Sequence, residues 1–113
     1  MNTEPTSVLL IDDDVSLLEV IKLMAERSRE MTIQTAQSAK EALTTLAQKS
    51  YDVIIVDYDM PEINGIEVLK ILRKHGDTTP IIVFTGRSGE YTAIEALNNG
   101  ANFLLKKGED PRH

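Results

Sequence analysis

A chain of 113 residues with 42% hydrophobic and 27% charged residues has room for one globular domain with its own core and lies outside the disordered class. Its formal charge of -6 leaves no basic footprint for DNA or RNA, so no direct nucleic-acid contact by this domain is expected. With no cysteine, no basic segment leading into an apolar stretch and no run of membrane-spanning length, the cytoplasm is the expected location and a membrane is not an expected partner.

Val8 to Ile11 (VLLI) is a short apolar run that ends at Asp12, Asp13 and Asp14, and reads as a first strand with an acidic mouth. From Val15 to Arg27, the residues Leu17, Leu18, Val20, Ile21, Met24 and Ala25 recur at helical spacing, with Glu19, Lys22, Glu26 and Arg27 facing away. Thr32 to Ala36 reads as a modest strand. Ser38 to Glu41 then supplies an S-x-x-E capping box that opens a helix through Ala42, Leu43, Leu46 and Ala47.

Val53 to Val56, between Asp52 and Asp57, is too short for a helix and lacks the polar alternation of a half-exposed strand, so it predicts a strand buried on both faces. Its end delivers Asp57 to the carboxyl edge of a parallel sheet, where open α/β folds place their ligands. Met60-Pro61 stops further pairing, and Asn64-Gly65 marks the turn into a helix carrying Ile66, Leu69 and Leu72, with Gly76 just past its end. Pro80 precedes a strand over Ile81 to Phe84 that ends at Thr85-Gly86. A helix from Glu90 to Asn99 presents Tyr91, Ile94 and Leu97 on one side and stops at Gly100, and a last strand, Asn102 to Leu105, delivers Lys106 and Lys107. Strand and helix alternate throughout, so right-handed crossovers predict a parallel sheet covered on both faces.

In such a sheet Asp12, Asp13, Asp57, Thr85 and the lysine pair share one edge. Carboxylates a few Å apart repel by roughly 4 kcal/mol per pair at an effective dielectric near 20, which invites a cation. With oxygen ligands and neither His nor Cys nearby, the expected ion is Mg²⁺. A carboxylate beside Mg²⁺ can attack a phosphoryl group, while a hydroxyl and an ammonium hold the phosphoryl oxygens.

The motifs VLLIDDD, VDYDMPEING, VFTG and GANFLLKKG, which together span nearly the whole chain, resemble those of response-regulator receiver domains, the CheY-like phosphoacceptor modules of two-component signalling. The resemblance implies a doubly wound flavodoxin-like fold with strand order 2-1-3-4-5. It implies that Asp57 accepts a phosphoryl group from the phosphohistidine of a histidine kinase or phosphotransfer protein, with Mg²⁺ held by Asp12, Asp13, Asp57 and the backbone carbonyl of Asp59. Thr85 then matches the switch hydroxyl, Gly86 the small residue that leaves room for the phosphoryl group, and Lys107, counted without gaps from Gly100, the phosphoryl-binding lysine. Asp59 and Arg87 match the positions that tune dephosphorylation. Gly108 stands where proline often follows the lysine, and Leu104 where an aromatic switch residue is usual.

The domain reading is a single receiver over residues 1–113, the N-terminal part of a longer chain or a form lacking the fifth helix. That helix is absent or truncated, with Asp110 and Pro111 as its start, so the apolar face behind the last strand calls for the rest of a longer chain or a dimer partner. Such a homodimer would form through the fourth helix and fifth strand, the surface expected to switch. The domain is then a phosphoacceptor that catalyses its own modification and not a turnover enzyme. Two alternatives stand beside it: a receiver-like binding module that is never phosphorylated, and a haloacid-dehalogenase-like phosphohydrolase, whose D-x-D signature Asp57-Tyr58-Asp59 also fits.

Overall fold

The computed structural model describes residues 4–86 and 90–108, and of Glu90 the backbone only. In chain order the elements are β1 (Thr6–Ile11), α1 (Val15–Ser28), β2 (Met31–Ala36), α2 (Ala39–Gln48), β3 (Val53–Asp57), α3 (Gly65–Lys74), β4 (Ile81–Thr85), α4 (Glu90–Asn98) and β5 (Phe103–Lys106). The strands form one parallel sheet in the order β2-β1-β3-β4-β5, the flavodoxin-like arrangement.

Every strand differs slightly at an end from the sequence expectation: β2 begins one residue earlier, at Met31, β3 and β4 each take in one more residue, Asp57 and Thr85, and β1 and β5 differ as follows. β1 begins at Thr6 instead of Val8, because Thr6 and Ser7 continue the ladder opposite Met31 and Thr32. β5 runs from Phe103 to Lys106 instead of Asn102 to Leu105. Asn102 acts as its cap: its Oδ1 accepts from Ile81 N at 2.9 Å while its own N–H donates to Ile81 O.

Local signals place the helices. Asp14, Ser38 and Asn64 are the N-caps of α1, α2 and α3, each accepting from a backbone N–H three residues on. In the capping box, Ser38 accepts from Glu41 N, but the Glu41 carboxylate reaches back to Gln37 N, one residue before the cap. α3 and α4 each end in a Schellman motif. Gly76 and Gly100 take the positive φ, and the following residues, Asp77 and Ala101, donate to Leu72 O and Ala96 O.

Side-chain alternation sorts the sheet into two faces. Leu9, Ile11, Ile54, Val56, Ile81 and Val83 join Ile66, Val68 and Leu69 of α3 and Ala96 of α4 in the main core. The alternate residues Val8 and Leu10 are buried on the opposite face, with Leu18 and Ala25 of α1. The helical stripe expected to bury α1 is only partly buried. Val20 and Met24 lie in solvent, as does Leu23, because α1 meets β2 near the sheet edge. On that same face Val53, Ile55, Ile82 and Phe84 are half-buried, and Phe103 and Leu105 of β5 are exposed. The helix start expected at Asp110 and Pro111 lies outside the described residues.

Candidate functional site

The parallel ladder decides which residues meet. Ile11 pairs with Val56, Asp57 with Phe84, and Thr85 with Lys106, so the ends of β1, β3, β4 and β5 lie side by side. Asp12 is one residue past β1 and Asp57 is the last residue of β3. Both are almost wholly removed from solvent, at 1% and 4% exposure. Carboxylates seldom tolerate such burial unless they are paired.

The pairing comes from Lys107. Its Nζ lies 2.9 Å from Asp12 Oδ2 and 3.1 Å from Asp57 Oδ1, bridging the two acids. Asp12 Oδ1 also accepts from Asp14 N at 2.9 Å, and the Asp59 backbone N–H donates to the Asp57 carboxylate. Burial pushes the Asp57 carboxyl up to about 6. The Lys107 hydrogen bond opposes that rise and the Asp12 charge adds to it. Burial pulls the Lys107 ammonium down, but its hydrogen bonds to Asp12 and Asp57 outweigh this and hold it above its ordinary value.

Carboxylate oxygens of Asp12, Asp13 and Asp57 lie within 4.8 Å of one another, with Asp13 on the solvent side. Three carboxylates against one ammonium form an acidic, all-oxygen donor set open on one side. That set fits a small hard divalent cation and suits neither Zn²⁺ nor Cu²⁺.

Thr85 is fully buried at the end of β4, and its carbonyl accepts from Lys107 N at 2.7 Å, which ties the lysine's backbone to the threonine. Gly86 is exposed, and a Cβ there would meet only open space. Asp59 is exposed beside the cluster, and Lys106, the last residue of β5, is exposed while Lys107 engages the acids. Arg87 lies outside the described residues.

Three features escape a reading of the sequence. Gly65, legible as a turn residue, has a second reason to be glycine: a Cβ there would collide with the Asp57 carbonyl, so the start of α3 presses directly on the end of β3. Arg73, one of several basic residues on α3, donates to the carbonyls of Asp77, Thr79 and Gly100 and to Asn102 Oδ1. Tyr58, beside Asp57, hydrogen-bonds Glu95 of α4. The Gly65 contact is hinted at by the Asn-Gly turn so close to Asp57, whereas no sequence signal marks the other two.

The family model for the response regulator receiver domain matches residues 8–113. The transcriptional regulatory protein ZraR of Klebsiella oxytoca is 31% identical over 107 residues, covering 94% of this chain and 24% of that protein. The CpxR homolog of Haemophilus influenzae is 34% identical over 102 residues, covering 90% of this chain and 44% of its own length. The chain thus spans less than half the length of these curated relatives. Among solved structures, the receiver domain of the Francisella response regulator 1452 superposes with a TM-score of 0.87 at 35% identity, covering 93% of this chain and 86% of that one. The chemotaxis protein CheY4 of Vibrio cholerae gives 0.86 at 28% identity, covering 96% and 91%. A family match along nearly the whole chain, carried by the same sheet and strand order, means that this chain belongs to the response regulator receiver family of two-component signalling.

Proposed function

We propose that Asp57 is the phosphoacceptor of this receiver, taking a phosphoryl group from the phosphohistidine of a histidine kinase or phosphotransfer protein. The observation that carries the reading is the Asp12–Lys107–Asp57 bridge: a buried nucleophilic carboxylate held beside a second acid by one ammonium. An Asp57 carboxylate oxygen attacks phosphorus, the O–P bond forms as the N–P bond breaks, and the imidazole leaves with the bonding pair and takes up a proton. Lys107, already at the attacking carboxylate, follows the charge onto a phosphoryl oxygen. The Thr85 hydroxyl binds a second oxygen, and Gly86 leaves space for the group.

Asp12, Asp13 and Asp57, with the Asp59 carbonyl, are the residues that would hold Mg²⁺, and the ion supplies neutralisation of the phosphoryl charge. The chain's own residues catalyse the transfer and the later hydrolysis, so the domain is modified once per cycle and has no separate substrate to turn over. On the resemblance, Asp59 and Arg87 tune that hydrolysis.

Residues 1–113 act as one receiver unit in the cytoplasm. The signal leaves through α4 and β5, where exposed Tyr91, Ile94 and Leu97 offer a surface for a partner or a second copy. Any contact with DNA belongs to other parts of a longer regulator, as the greater length of the curated relatives suggests. A phosphohydrolase that uses Asp59 as general acid is not supported, since the family match runs along nearly the whole chain.

The test is incubation with acetyl phosphate and Mg²⁺, read by intact mass. A gain of one phosphoryl group is expected, and it should be lost with EDTA or in Asp57→Asn. No gain in folded, Mg²⁺-binding protein would favour a binding module that works without phosphorylation.

A further inference from the structure

A direct polar link joins the loop after β3 to α4. The Tyr58 hydroxyl donates a 2.6 Å hydrogen bond to Oε1 of Glu95, 37 positions later in the chain. Tyr58 is held at its base as well as its tip. Its N–H donates to Phe84 O at 2.9 Å, its carbonyl accepts from Gly65 N at 3.0 Å, and its ring packs against the main core. Any shift of the main chain at Asp57 therefore moves the hydroxyl at the far end of a stiff arm.

Glu95 sits where such a movement has effect. The buried side of α4 consists of small side chains, Thr92 and Ala96, while Tyr91, Ile94 and Leu97 point to solvent. With so few large side chains anchoring α4 in the core, a polar contact from Glu95 is a substantial share of what ties the helix to the β3 side of the sheet. Leu104, the β5 residue packed against the core near α4, has no polar atom with which to make one.

We propose that the Tyr58–Glu95 hydrogen bond is the coupler through which a change at Asp57 reaches α4. Tyr58 and Glu95 are positioning residues and take no part in the chemistry, and the proposal rests on the reading of Asp57 as phosphoacceptor. A new charge on Asp57 draws Lys107 and the main chain beside it into a different arrangement. The bond to Glu95 then has a different free energy in the two arrangements, which is what an energetic coupling requires. Because the acceptor is a partly buried carboxylate, the bond is charge-assisted and among the stronger ones available to a tyrosine.

Hydrogen exchange on the full chain, with and without Mg²⁺ and beryllofluoride as a phosphoryl mimic, tests this. In the native protein both the β3–α3 loop and α4 should change their exchange when the mimic binds. In Tyr58→Phe the loop should still respond while the change at α4 falls by about tenfold, and α4 amides should already exchange faster without the mimic. Glu95→Ala should reproduce this, the double variant should add nothing, and Glu95→Gln, which keeps an acceptor, should restore part of the α4 response. An α4 that still responds fully in Tyr58→Phe, or a loop and α4 that lose their responses together, overturns the coupling. If the native loop itself does not respond, the phosphoacceptor reading fails and takes the coupling with it. Should Tyr58→Phe not fold, the two Glu95 variants decide the matter by the same comparison.

Discussion

Asp57 carries a conflict that its position imposes. The end of a fully buried strand is a poor place for a charge, and burial pushes the carboxyl up to about 6 from an ordinary 3.8 despite the opposing Lys107 bond. An acid whose folded pKa is raised holds its proton more tightly folded than unfolded. In EDTA, the contribution of Asp57 to stability should therefore be greatest below its ordinary pKa and be lost as pH climbs to about 6. Asp57→Asn cannot ionise and escapes this loss, so it should be more stable than the native protein by roughly 2 kcal/mol near neutral pH, with the gap closing towards acid. Thermal melts in EDTA across that range measure it, and a gap independent of pH would count against the account. Asp12, Asp13, Asp57 and a lysine after the last strand were legible because polar residues that close short apolar runs gather at one sheet edge, while the choice of Lys107 over Lys106 came from the family resemblance. Tyr58 and Glu95 were not legible, since nothing in a linear sequence says that a tyrosine after β3 reaches a glutamate on α4.

At the level of elements, the caps and stops read directly. Ser38, Gly76 and Gly100 act as their residue types and spacings demand. α1 read less well, because helical periodicity identifies an apolar stripe without saying how much of it a neighbour covers. Arg73 was not legible at all, since a basic residue on a helix surface carries no sign that it will gather the nearby carbonyls of Asp77 and Thr79 together with Gly100 and Asn102, 27 and 29 positions on. Its guanidinium holds the end of α3 to the approach to β4 and to the α4–β5 turn through four acceptors at 2.8–3.1 Å. A lysine cannot reach that fan of acceptors, so Arg73→Lys should lower the unfolding free energy by about 2 kcal/mol or more. Urea denaturation provides the value, and a loss within experimental error of zero would mean that the carbonyls find water at no cost.

For the whole molecule, the alternation of strands and helices predicts a parallel sheet, but the strand order 2-1-3-4-5 came from the family resemblance. Periodicity does not say which strand lies at the centre; the apolar continuity of β1 and β3 hints at it. The order places the acids of β1 and β3 together, where they could hold a divalent ion. Mg²⁺ at a hundredfold excess over its Kd should raise the unfolding free energy by about 2.7 kcal/mol, an increase that Asp13→Asn should reduce. Thermal shift measures both, and an Asp13→Asn protein stabilised as fully as the native one would remove Asp13 from the site.

Everything proposed for this receiver depends on phosphorylation at Asp57 itself. Borohydride reduces an aspartyl phosphate to homoserine, so treating the phosphorylated protein with borohydride and mapping its peptides by mass identifies the acceptor. Homoserine at position 57 and at no other aspartate is the predicted result. Homoserine at Asp12, Asp13 or Asp59, or at no position in protein that has gained a phosphoryl group, would contradict it.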